Sequence, residues 1–218
     1  MTDVIKDLSE LRMSYQRAAL HEEDILSCPH EQFLAWFNTT LNYNLHEPYV
    51  MYLATASAAG VPHVRTLLLR GATTQGYDFY TNYDSCKGHD LAENPQAQLL
   101  FYWAELEQQV RISGRVEKIS QAESTAYFQK RPHDSQVAAH VSTPQSGVIA
   151  SREELQHRFD AAFAQYKDVE KLPKPEFWGG YRLVPDYYEF WQGRPNRLHD
   201  RIIYKKQGDD WVVERLMP

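Results

Sequence analysis

The sequence predicts an α+β fold in which short antiparallel strands form a small barrel and helices pack outside it. Three observations support this prediction. Short segments rich in β-branched and aromatic residues follow one another along the chain, with turn residues between them. Helix-start patterns separate groups of these segments, as at Ser120 with Glu123 and at Ser151 with Glu154. No regular alternation of strand and helix is present, which disfavours a doubly wound parallel sheet.

The first part of the chain is predicted to form a helical arm over about residues 1–45, within a single domain over residues 1–218. Apolar residues recur there at helical spacing among charges, which indicates an amphipathic helix or a loosely held arm; they are Ile5, Leu8, Leu11 and Tyr15. A second helix is predicted to begin near Pro29, since proline is favoured in a first turn. Its buried stripe is predicted to comprise Phe33, Leu34, Trp36, Phe37 and Leu41.

The rest of the chain alternates between groups of strands and a few helices. The segments with strand composition are residues 50–57, 62–70, 77–81, 96–103, 108–119, 180–184, 187–192, 198–205 and 211–216. Helix patterns cover residues 85–93, 120–130 and 151–166, with a turn or helix over 134–141. Turns are predicted at Ala59-Gly60, over residues 71–76 and over residues 207–210, so the flanking strands of the first and last of these should form hairpins.

Composition excludes several classes of protein. The chain has 218 residues, of which 43% are apolar and 24% charged, so disorder and fibrous repeats are excluded. The net charge of −6 argues against electrostatic binding to nucleic acid. Cys28 and Cys86 lie far apart and are predicted to be free thiols of a reducing compartment. No signal-peptide pattern and no apolar run of about 20 residues occurs, so we expect a cytoplasmic protein without a membrane partner.

The strongest cluster of candidate functional residues lies near the C-terminus, in Arg197-Leu198-His199-Asp200-Arg201. If this segment is a regular strand, Arg197, His199 and Arg201 point to one face. Potential cations crowded on one face of a net acidic chain favour an anionic ligand, and the aromatic pair Phe190-Trp191 just upstream offers a flat surface. The alternative is a solvated strand face with acidic neighbours.

Weaker candidates lie elsewhere. Arg65 and Arg70 bound an apolar strand, but their spacing sends them to opposite faces, so solvent exposure is the favoured interpretation unless a bulge or a second subunit intervenes. The helix end at Tyr127 and Arg131 is followed by Ser135, and these side chains could hold one oxyanion, although a basic helix C-terminus explains Arg131 equally well. The helix start Ser85-Cys86-Lys87 is a weak anion-site signal, because helix starts are common.

Several common catalytic motifs are absent from the sequence. It contains no P-loop, no Gly-x-Gly-x-x-Gly, no Gly-x-Ser-x-Gly and no His-Glu-x-x-His. These absences disfavour a P-loop nucleotidase, a Rossmann cofactor site, an ordinary hydrolase and a zincin. The histidines are scattered and form no convincing ligand set, so no metal is assigned.

Taken together, these segments resemble the pyridoxine 5′-phosphate oxidase family of FMN enzymes, over nearly the whole chain. The segments that carry the resemblance are residues 65–70, Tyr80-Thr81-Asn82, Arg131-Pro132 with Asp134-Ser135-Gln136, Phe177-Trp178-Gly179-Gly180, Glu189-Phe190-Trp191-Gln192-Gly193 and Arg197-Leu198-His199-Asp200-Arg201. The resemblance implies a split β-barrel homodimer with FMN in each of two clefts between the subunits. It also implies oxidation of pyridoxine or pyridoxamine 5′-phosphate to pyridoxal 5′-phosphate, with O₂ reduced to hydrogen peroxide.

The resemblance further implies a set of site residues. FMN would contact Arg65, Thr66, Leu67, Leu68, Leu69, Arg70, Tyr80, Thr81, Cys86, Lys87, Gln109, Gln145, Ser146, Trp191 and Arg201. The substrate would contact Arg70, Tyr127, Arg131, Ser135, Arg197, Leu198 and His199. In the catalytic roles, we expect Arg197 to stabilise charge that develops on the reacting substituent and His199 to orient the substrate through a hydrogen bond.

The sequence departs from the family pattern at three places. Arg70 stands where the family usually has lysine, so substrate affinity or selectivity should differ. Cys86 stands where an arginine is usual, which predicts weaker FMN binding, and the loop over residues 142–146 is one residue longer than usual. Two alternative functions stay open: an FMN oxidase of the phenazine pathway, and a non-catalytic module that stores or delivers pyridoxal phosphate or flavin.

Overall fold

The computed structural model describes residues 13–218, so the predicted positions Ile5, Leu8 and Leu11 of the arm lie outside the described residues. The chain divides into two compact units, and each is described by itself. The first comprises Met1–Pro48, Tyr102–Arg111 and Tyr188–Pro218, and the second comprises Tyr49–Phe101 and Ile112–Tyr187.

The helices and strands match the predicted α+β class. The helices are α1 (Pro29–Asn42), α2 (Cys86–Glu93), α3 (Gln121–Lys130), α4 (His133–Val141) and α5 (Arg152–Tyr166). The strands are β1 (Val50–Ala56), β2 (Pro62–Leu68), β3 (Gly71–Thr73), β4 (Gly76–Asn82), β5 (Gln96–Trp103), β6 (Gln108–Lys118), β7 (Trp178–Gln192), β8 (Asp200–Gln207) and β9 (Asp210–Arg215). Two short 3₁₀ turns span Ala104–Leu106 and Pro195–Arg197. No helix of the described residues is long and apolar enough to cross a membrane.

The second unit is built on a sheet in the order β2-β1-β5-β6-β7-β4-β3. The hairpin predicted around Ala59-Gly60 is confirmed, because β1 and β2 pair antiparallel with Leu53 opposite Arg65. Side chains along β1 alternate between buried and exposed, as a sheet with one face on the core requires. On its other edge β1 pairs antiparallel with β5, and β4 pairs antiparallel with β7.

Serine caps start three helices of this unit and confirm the predicted helix starts. The side chain of Ser85 accepts a hydrogen bond from the backbone N–H of Gly88 at 3.3 Å. Ser120 and Ser151 cap α3 and α5 in the same way, each with the N–H three residues ahead, at 3.2 and 3.1 Å. Each cap satisfies one of the N–H groups that a helix start leaves without a partner, so helix boundaries are fixed locally.

The first unit packs α1 against aromatic side chains. Phe33 and Trp36 are buried, and the ring of Trp36 meets that of Phe190 edge-on at 5.3 Å. Leu41, predicted to belong to the buried stripe, is instead 50% exposed, because it lies in the last turn of α1, where Thr40 takes the inward position. The hairpin predicted at residues 207–210 is confirmed, since Gln207 pairs with Asp210 between β8 and β9.

Two strand predictions were wrong in their boundaries. The segments 180–184 and 187–192 form the single strand β7, although Pro185 lies within it. Proline has no backbone N–H to donate to a neighbouring strand. The pairing of β7 with β4 ends at Leu183, so no residue of β4 requires a hydrogen bond from position 185. The predicted turn over residues 71–76 contains the short strand β3, which pairs with β4.

Candidate functional site

A cavity of about 480 Å³ opens in the second unit, beside the start of α2 and the end of α3. It brings together side chains from segments that are far apart in the sequence. Its lining consists of Arg65, Thr66, Leu67, Leu68, Arg70, Tyr80, Thr81, Lys87, Tyr127, Arg131, Gln145, Ser146 and Trp178. Of the residues predicted for this part of the site, Leu69 is buried, Cys86 is exposed, Ser135 is half-buried in the first turn of α4, and none of these three belongs to the lining.

Arg65 and Arg70 line this one cavity, which corrects the expectation that they face apart into solvent. Strand β2 ends at Leu68, so Arg70 lies beyond the regular alternation on which that expectation depended. The backbone N–H of Arg70 donates to the carbonyl of Asp78 at 2.8 Å, and its guanidinium lies 5.7 Å from the centre of the Tyr49 ring. The turn into β3 therefore returns the second arginine to the same side as the first.

The guanidinium of Arg65 is held mainly by neutral acceptors. Its Nη1 donates to the carbonyl oxygens of Leu53 and His63, at 3.1 and 3.2 Å, and to the Thr55 hydroxyl at 2.7 Å. Its Nη2 lies 3.8 Å from the carboxylate of Asp90. Burial lowers the pKa of Arg65, partly opposed by Asp90, but an arginine remains charged at any physiological pH. Arg65 thus presents a fixed positive charge at the cavity.

Lys87 brings a second cation, which is buried, to the same end of the cavity. Its ammonium donates to the side-chain oxygens of Thr81, Ser85 and Gln145, at 3.2, 3.1 and 3.2 Å. Burial lowers the pKa of Lys87, and the charge of Arg65 lowers it further. Because these three acceptors are neutral and the start of α2 lies beside them, an anion bound here would relieve the desolvated charge.

An aromatic stack forms another wall of the cavity. The rings of Tyr80 and Tyr127 lie 3.8 Å apart at an angle of 12°, and Trp178 stacks on Tyr80 at 5.6 Å. Burial raises the pKa of Tyr80 to about 12, so its phenol stays protonated. A Cβ at Gly180 would lie 2.7 Å from a ring carbon of Tyr80, so glycine at this position leaves the stack its room. Trp178 was not predicted as a site residue, although the motif Phe177-Trp178-Gly179-Gly180 contains it.

Arg131 carries an unsatisfied buried donor at this cavity. Its guanidinium lies 4.8 Å from the centre of the Trp178 ring, and its Nη1 is buried without a hydrogen-bond partner among residues 13–218. Burial lowers the pKa of Arg131, and the nearby charge of Arg70 lowers it further. Buried donors are nearly always satisfied in folded proteins, so Nη1 is available to a hydrogen-bond acceptor that enters the cavity.

The C-terminal candidates lie in the first unit, where Arg201 is already paired. Its Nε donates to Glu189 at 2.9 Å, and Arg111 contacts the same carboxylate. Burial acts to raise the pKa of Glu189, but these two arginines outweigh it and hold that pKa below its usual value. Strand β8 begins only at Asp200, so the predicted strand over Arg197 and His199 was wrong and its alternation cannot place these two residues on one face with Arg201.

Arg197 and His199 lie in the turn before β8. Arg197 ends the 3₁₀ turn with a φ of 62°, a left-handed conformation that redirects its side chain relative to a regular strand. The ring nitrogen Nδ1 of His199 accepts the backbone N–H of Arg194 at 3.0 Å. Burial lowers the pKa of His199, and the charge of Arg197 lowers it further. The ring is therefore neutral at pH 7, and its Nε2 carries the proton and can donate.

The remaining predicted residues of this unit differ in exposure. The ring of Trp191 lies 4.8 Å from that of His199, and the ring of Tyr15 meets both edge-on. Leu198 is 67% exposed, and Gln109 is half-buried in β6. His199 is thus held between aromatic rings with one donor left for a ligand.

The antiparallel sheet with its cationic and aromatic cavity matches the split-barrel class to which flavin-binding proteins belong, and solved structures confirm the predicted fold. PhzG from Burkholderia lata 383, solved with tetrahydrophenazine-1-carboxylic acid, matches with a TM-score of 0.85 and 30% identity over 92% of this chain and 98% of that one. An FMN-binding protein from Nostoc punctiforme PCC 73102, described as related to pyridoxamine 5′-phosphate oxidase, shares the fold with a TM-score of 0.71 and 20% identity, over 88% of this chain and 98% of that one.

Sequence comparison then gives the family. The protein-family model described as pyridoxamine 5′-phosphate oxidase matches residues 37–166. A second family model, described as the pyridoxine 5′-phosphate oxidase C-terminal dimerisation region, matches residues 178–218. Curated relatives from Acinetobacter baylyi and Deinococcus deserti, both named pyridoxine/pyridoxamine 5′-phosphate oxidase, are 68% and 50% identical, over 100% and 97% of this chain and 100% and 99% of theirs. This chain belongs to the pyridoxine/pyridoxamine 5′-phosphate oxidase family, a family of oxidoreductases.

Proposed function

We propose that the protein uses FMN to oxidise pyridoxine or pyridoxamine 5′-phosphate to pyridoxal 5′-phosphate, with O₂ reduced to hydrogen peroxide. The observation that carries this proposal is the cavity with two separately held cationic groups, Arg65 with Lys87 and Arg70 with Arg131. Two cationic groups suit two phosphates, one on the cofactor and one on the substrate. The names of the relatives supply the substrate class.

The residues of the cavity fit FMN. Arg65 and Lys87 are buried or half-buried cations whose hydrogen bonds go mainly to neutral oxygens, so a phosphate adds the counter-charge that they lack. Thr81 and Gln145 supply polar side chains close to Lys87, and they would contact the rest of the cofactor. When bound, FMN supplies the chemistry of the reaction, because its ring accepts a hydride and passes electrons on to O₂.

The substrate phosphate would be bound at the other cationic group. Arg131 offers its unsatisfied Nη1, Arg70 a second guanidinium, and Tyr127 a hydroxyl on a ring that lines the same cavity. Ser135, in the first turn of α4, is proposed to donate its hydroxyl to the same phosphate. A planar arginine fork at residue 70 binds two phosphate oxygens at once, whereas a lysine would act as a point charge.

Arg197 and His199 are proposed to act on the reacting part of the substrate. Neutral His199 donates from Nε2 and so fixes the orientation of the pyridine ring. Arg197 contacts the reacting substituent and stabilises the charge that develops there during hydride transfer. We further propose a homodimer with its active sites between the subunits. The match of residues 178–218 to a dimerisation region supports this arrangement, since that segment contains both residues.

The likeness to PhzG favours one alternative, an oxidase that acts on a larger tricyclic substrate. A tricyclic carboxylic acid has no phosphate, so its single carboxylate would supply less charge and fewer acceptor oxygens to Arg70 and Arg131 than a phosphate does. The 68% identity to the Acinetobacter baylyi relative, against 30% to PhzG, also supports the phosphate substrate. A non-catalytic store for flavin or pyridoxal phosphate is the other alternative.

Spectroscopy of the purified protein tests these possibilities. We expect a flavin absorption band that bleaches when pyridoxine 5′-phosphate is added without oxygen and returns in air, with one hydrogen peroxide formed per turnover. A protein that keeps its flavin but does not bleach would be a carrier, whereas bleaching only with a reduced phenazine precursor would establish the second oxidase. A colourless protein that cannot be reconstituted with FMN would refute the proposal.

A further inference from the structure

Three potential metal ligands converge beside the cavity but outside its lining. They are His63 on β2, Cys86 at the first position of α2, and Asp90 one turn further along α2, and their ligand atoms all lie within 4.8 Å of one another. We propose that these residues bind a divalent transition-metal ion of the zinc type. No metal site was predicted here from the sequence, because His63 lies 23 positions from Cys86 and only the fold brings them together.

Helix geometry accounts for the pairing of Cys86 with Asp90. Residues four apart on an α-helix lie on the same face, the spacing with which helices present two ligands to one metal ion. Strand β2 then supplies His63, whose Nδ1 lies 2.9 Å from Oδ2 of Asp90. The Thr55 hydroxyl donates to that same Oδ2 at 2.6 Å and so fixes the carboxylate, as outer hydrogen bonds typically do for metal ligands.

The distances suit a tetrahedral ion. Bonds from zinc to oxygen, nitrogen and sulfur of about 2.0 to 2.3 Å place neighbouring ligand atoms about 3.3 to 3.6 Å apart. The contact of His63 with Asp90 at 2.9 Å is slightly shorter than this range, and the widest separation in the cluster is at most 4.8 Å. Side-chain rotation of exposed Cys86 and half-exposed His63 can therefore close the site around an ion without movement of the backbone.

The charges also balance. A divalent ion with one thiolate, one carboxylate and one neutral imidazole has no net charge, so it would not repel the adjacent Arg65. That guanidinium does not need Asp90, because its Nη1 keeps three neutral acceptors and the contact of its Nη2 with Asp90 is 3.8 Å. Three protein ligands leave one tetrahedral position for water or an anion.

The test uses tag-free protein stripped with a chelator and titrated with Zn²⁺ alone by calorimetry. We expect one zinc per chain at this site, and binding at least 100-fold weaker in both Cys86→Ser and His63→Gln. Cys28→Ser, which removes the other free cysteine, is the matched control and should bind like the unaltered protein. Co²⁺ gives a second readout, because a thiolate ligand adds a charge-transfer band that Cys86→Ser must abolish.

The result is independent of the proposed oxidase function, since the calorimeter reports only zinc binding and neither flavin reduction nor turnover enters that readout. Loss of binding in both variants with unchanged thermal unfolding supports the site. Absence of saturable binding in the unaltered protein overturns it, and so does binding that survives either substitution. Both substituted side chains reach solvent, so the variants are expected to fold.

Discussion

Replacement of Arg131 by methionine should stabilise the protein and weaken its substrate binding at the same time. The guanidinium has a buried Nη1 without a partner, and its flat face lies 4.8 Å from the centre of the Trp178 ring. In the ligand-free protein this unsatisfied donor lowers the stability of the fold, and in the proposed complex it binds the substrate phosphate. Methionine replaces the aliphatic part of the arginine side chain and keeps a favourable contact with an aromatic ring, so the substitution removes mainly the guanidinium.

The two effects can be estimated separately. Removal of the unsatisfied buried donor should raise the free energy of unfolding by about 1–3 kcal/mol. Loss of the contact between the cation and the aromatic ring should lower it by about 0.5–2 kcal/mol. A net gain of about 1 kcal/mol in the free energy of unfolding would raise the Tm of a chain of this size by about 2–4 °C. Loss of a hydrogen bond to a charged phosphate costs about 1.5–3 kcal/mol, which weakens substrate binding about 10- to 150-fold.

Thermal unfolding without ligand and the KM for pyridoxine 5′-phosphate measure these effects. Lys130→Met is the matched control, because Lys130 precedes Arg131 at the end of α3, carries the same charge and is exposed. It should change KM by less than about twofold, as expected for a solvated charge. A lower Tm with an unchanged KM in the Arg131 variant would refute the reasoning, since it would show that Arg131 serves the fold rather than the ligand.

Other substitutions test the remaining parts of the site. Cys86→Arg should bind FMN about tenfold more tightly with a chelator present, because it adds a cation beside the cofactor phosphate; fluorescence titration showing equal affinity would contradict this. Arg197→Leu should lower kcat at least about 100-fold while the bound FMN is retained, as expected for charge stabilisation during reaction. NMR titration should place the pKa of His199 below 6.5, and Arg197→Leu should raise it, because that charge is one of its causes. Glu189→Gln should cost about 3 kcal/mol at pH 7 in denaturant unfolding, because it leaves two arginines without their carboxylate. Since the pKa of Glu189 is lowered, its stabilisation is present above pH 4.5 and lost as the pH falls through the folded pKa, so this cost should shrink in acid.

Short sequence patterns predicted most of the fold because each pattern reflects an interaction between residues that are close in the sequence. A serine cap bonds the N–H three residues ahead, so Ser120 and Ser151 mark helix starts wherever the helix later packs. The hairpin at residues 207–210 likewise depends on turn residues alone. Pro185 misled the prediction because its effect depends on whether a neighbouring strand needs its N–H, and no local pattern contains that information.

The functional site was less accessible to prediction because it depends on long-range contacts. The identities of Arg65 and Arg131 were predicted from the family resemblance, but the stack of Tyr80 and Tyr127 with Trp178 requires knowledge of which strand lies beside α3. Periodicity also failed at the C-terminal cluster, because the strand there begins three residues later than the alternation argument needs, after a residue with positive φ at Arg197.

The hydrogen-bond and ion-pair partners of a cationic side chain, rather than its charge alone, indicate whether it stabilises the fold or is available to a ligand. Arg201 was predicted with the anion-binding residues, yet its charge is matched by the buried carboxylate of Glu189, so it has little left to offer a second anion. Lys87 donates to three neutral oxygens, and Nη1 of Arg131 has no partner among the described residues. A desolvated cation without a counter-charge destabilises the free protein, and it is retained where a ligand supplies that charge. By this criterion we expect the two proposed phosphates at Lys87 and Arg131, and Arg201→Gln should affect stability more than affinity for either phosphate.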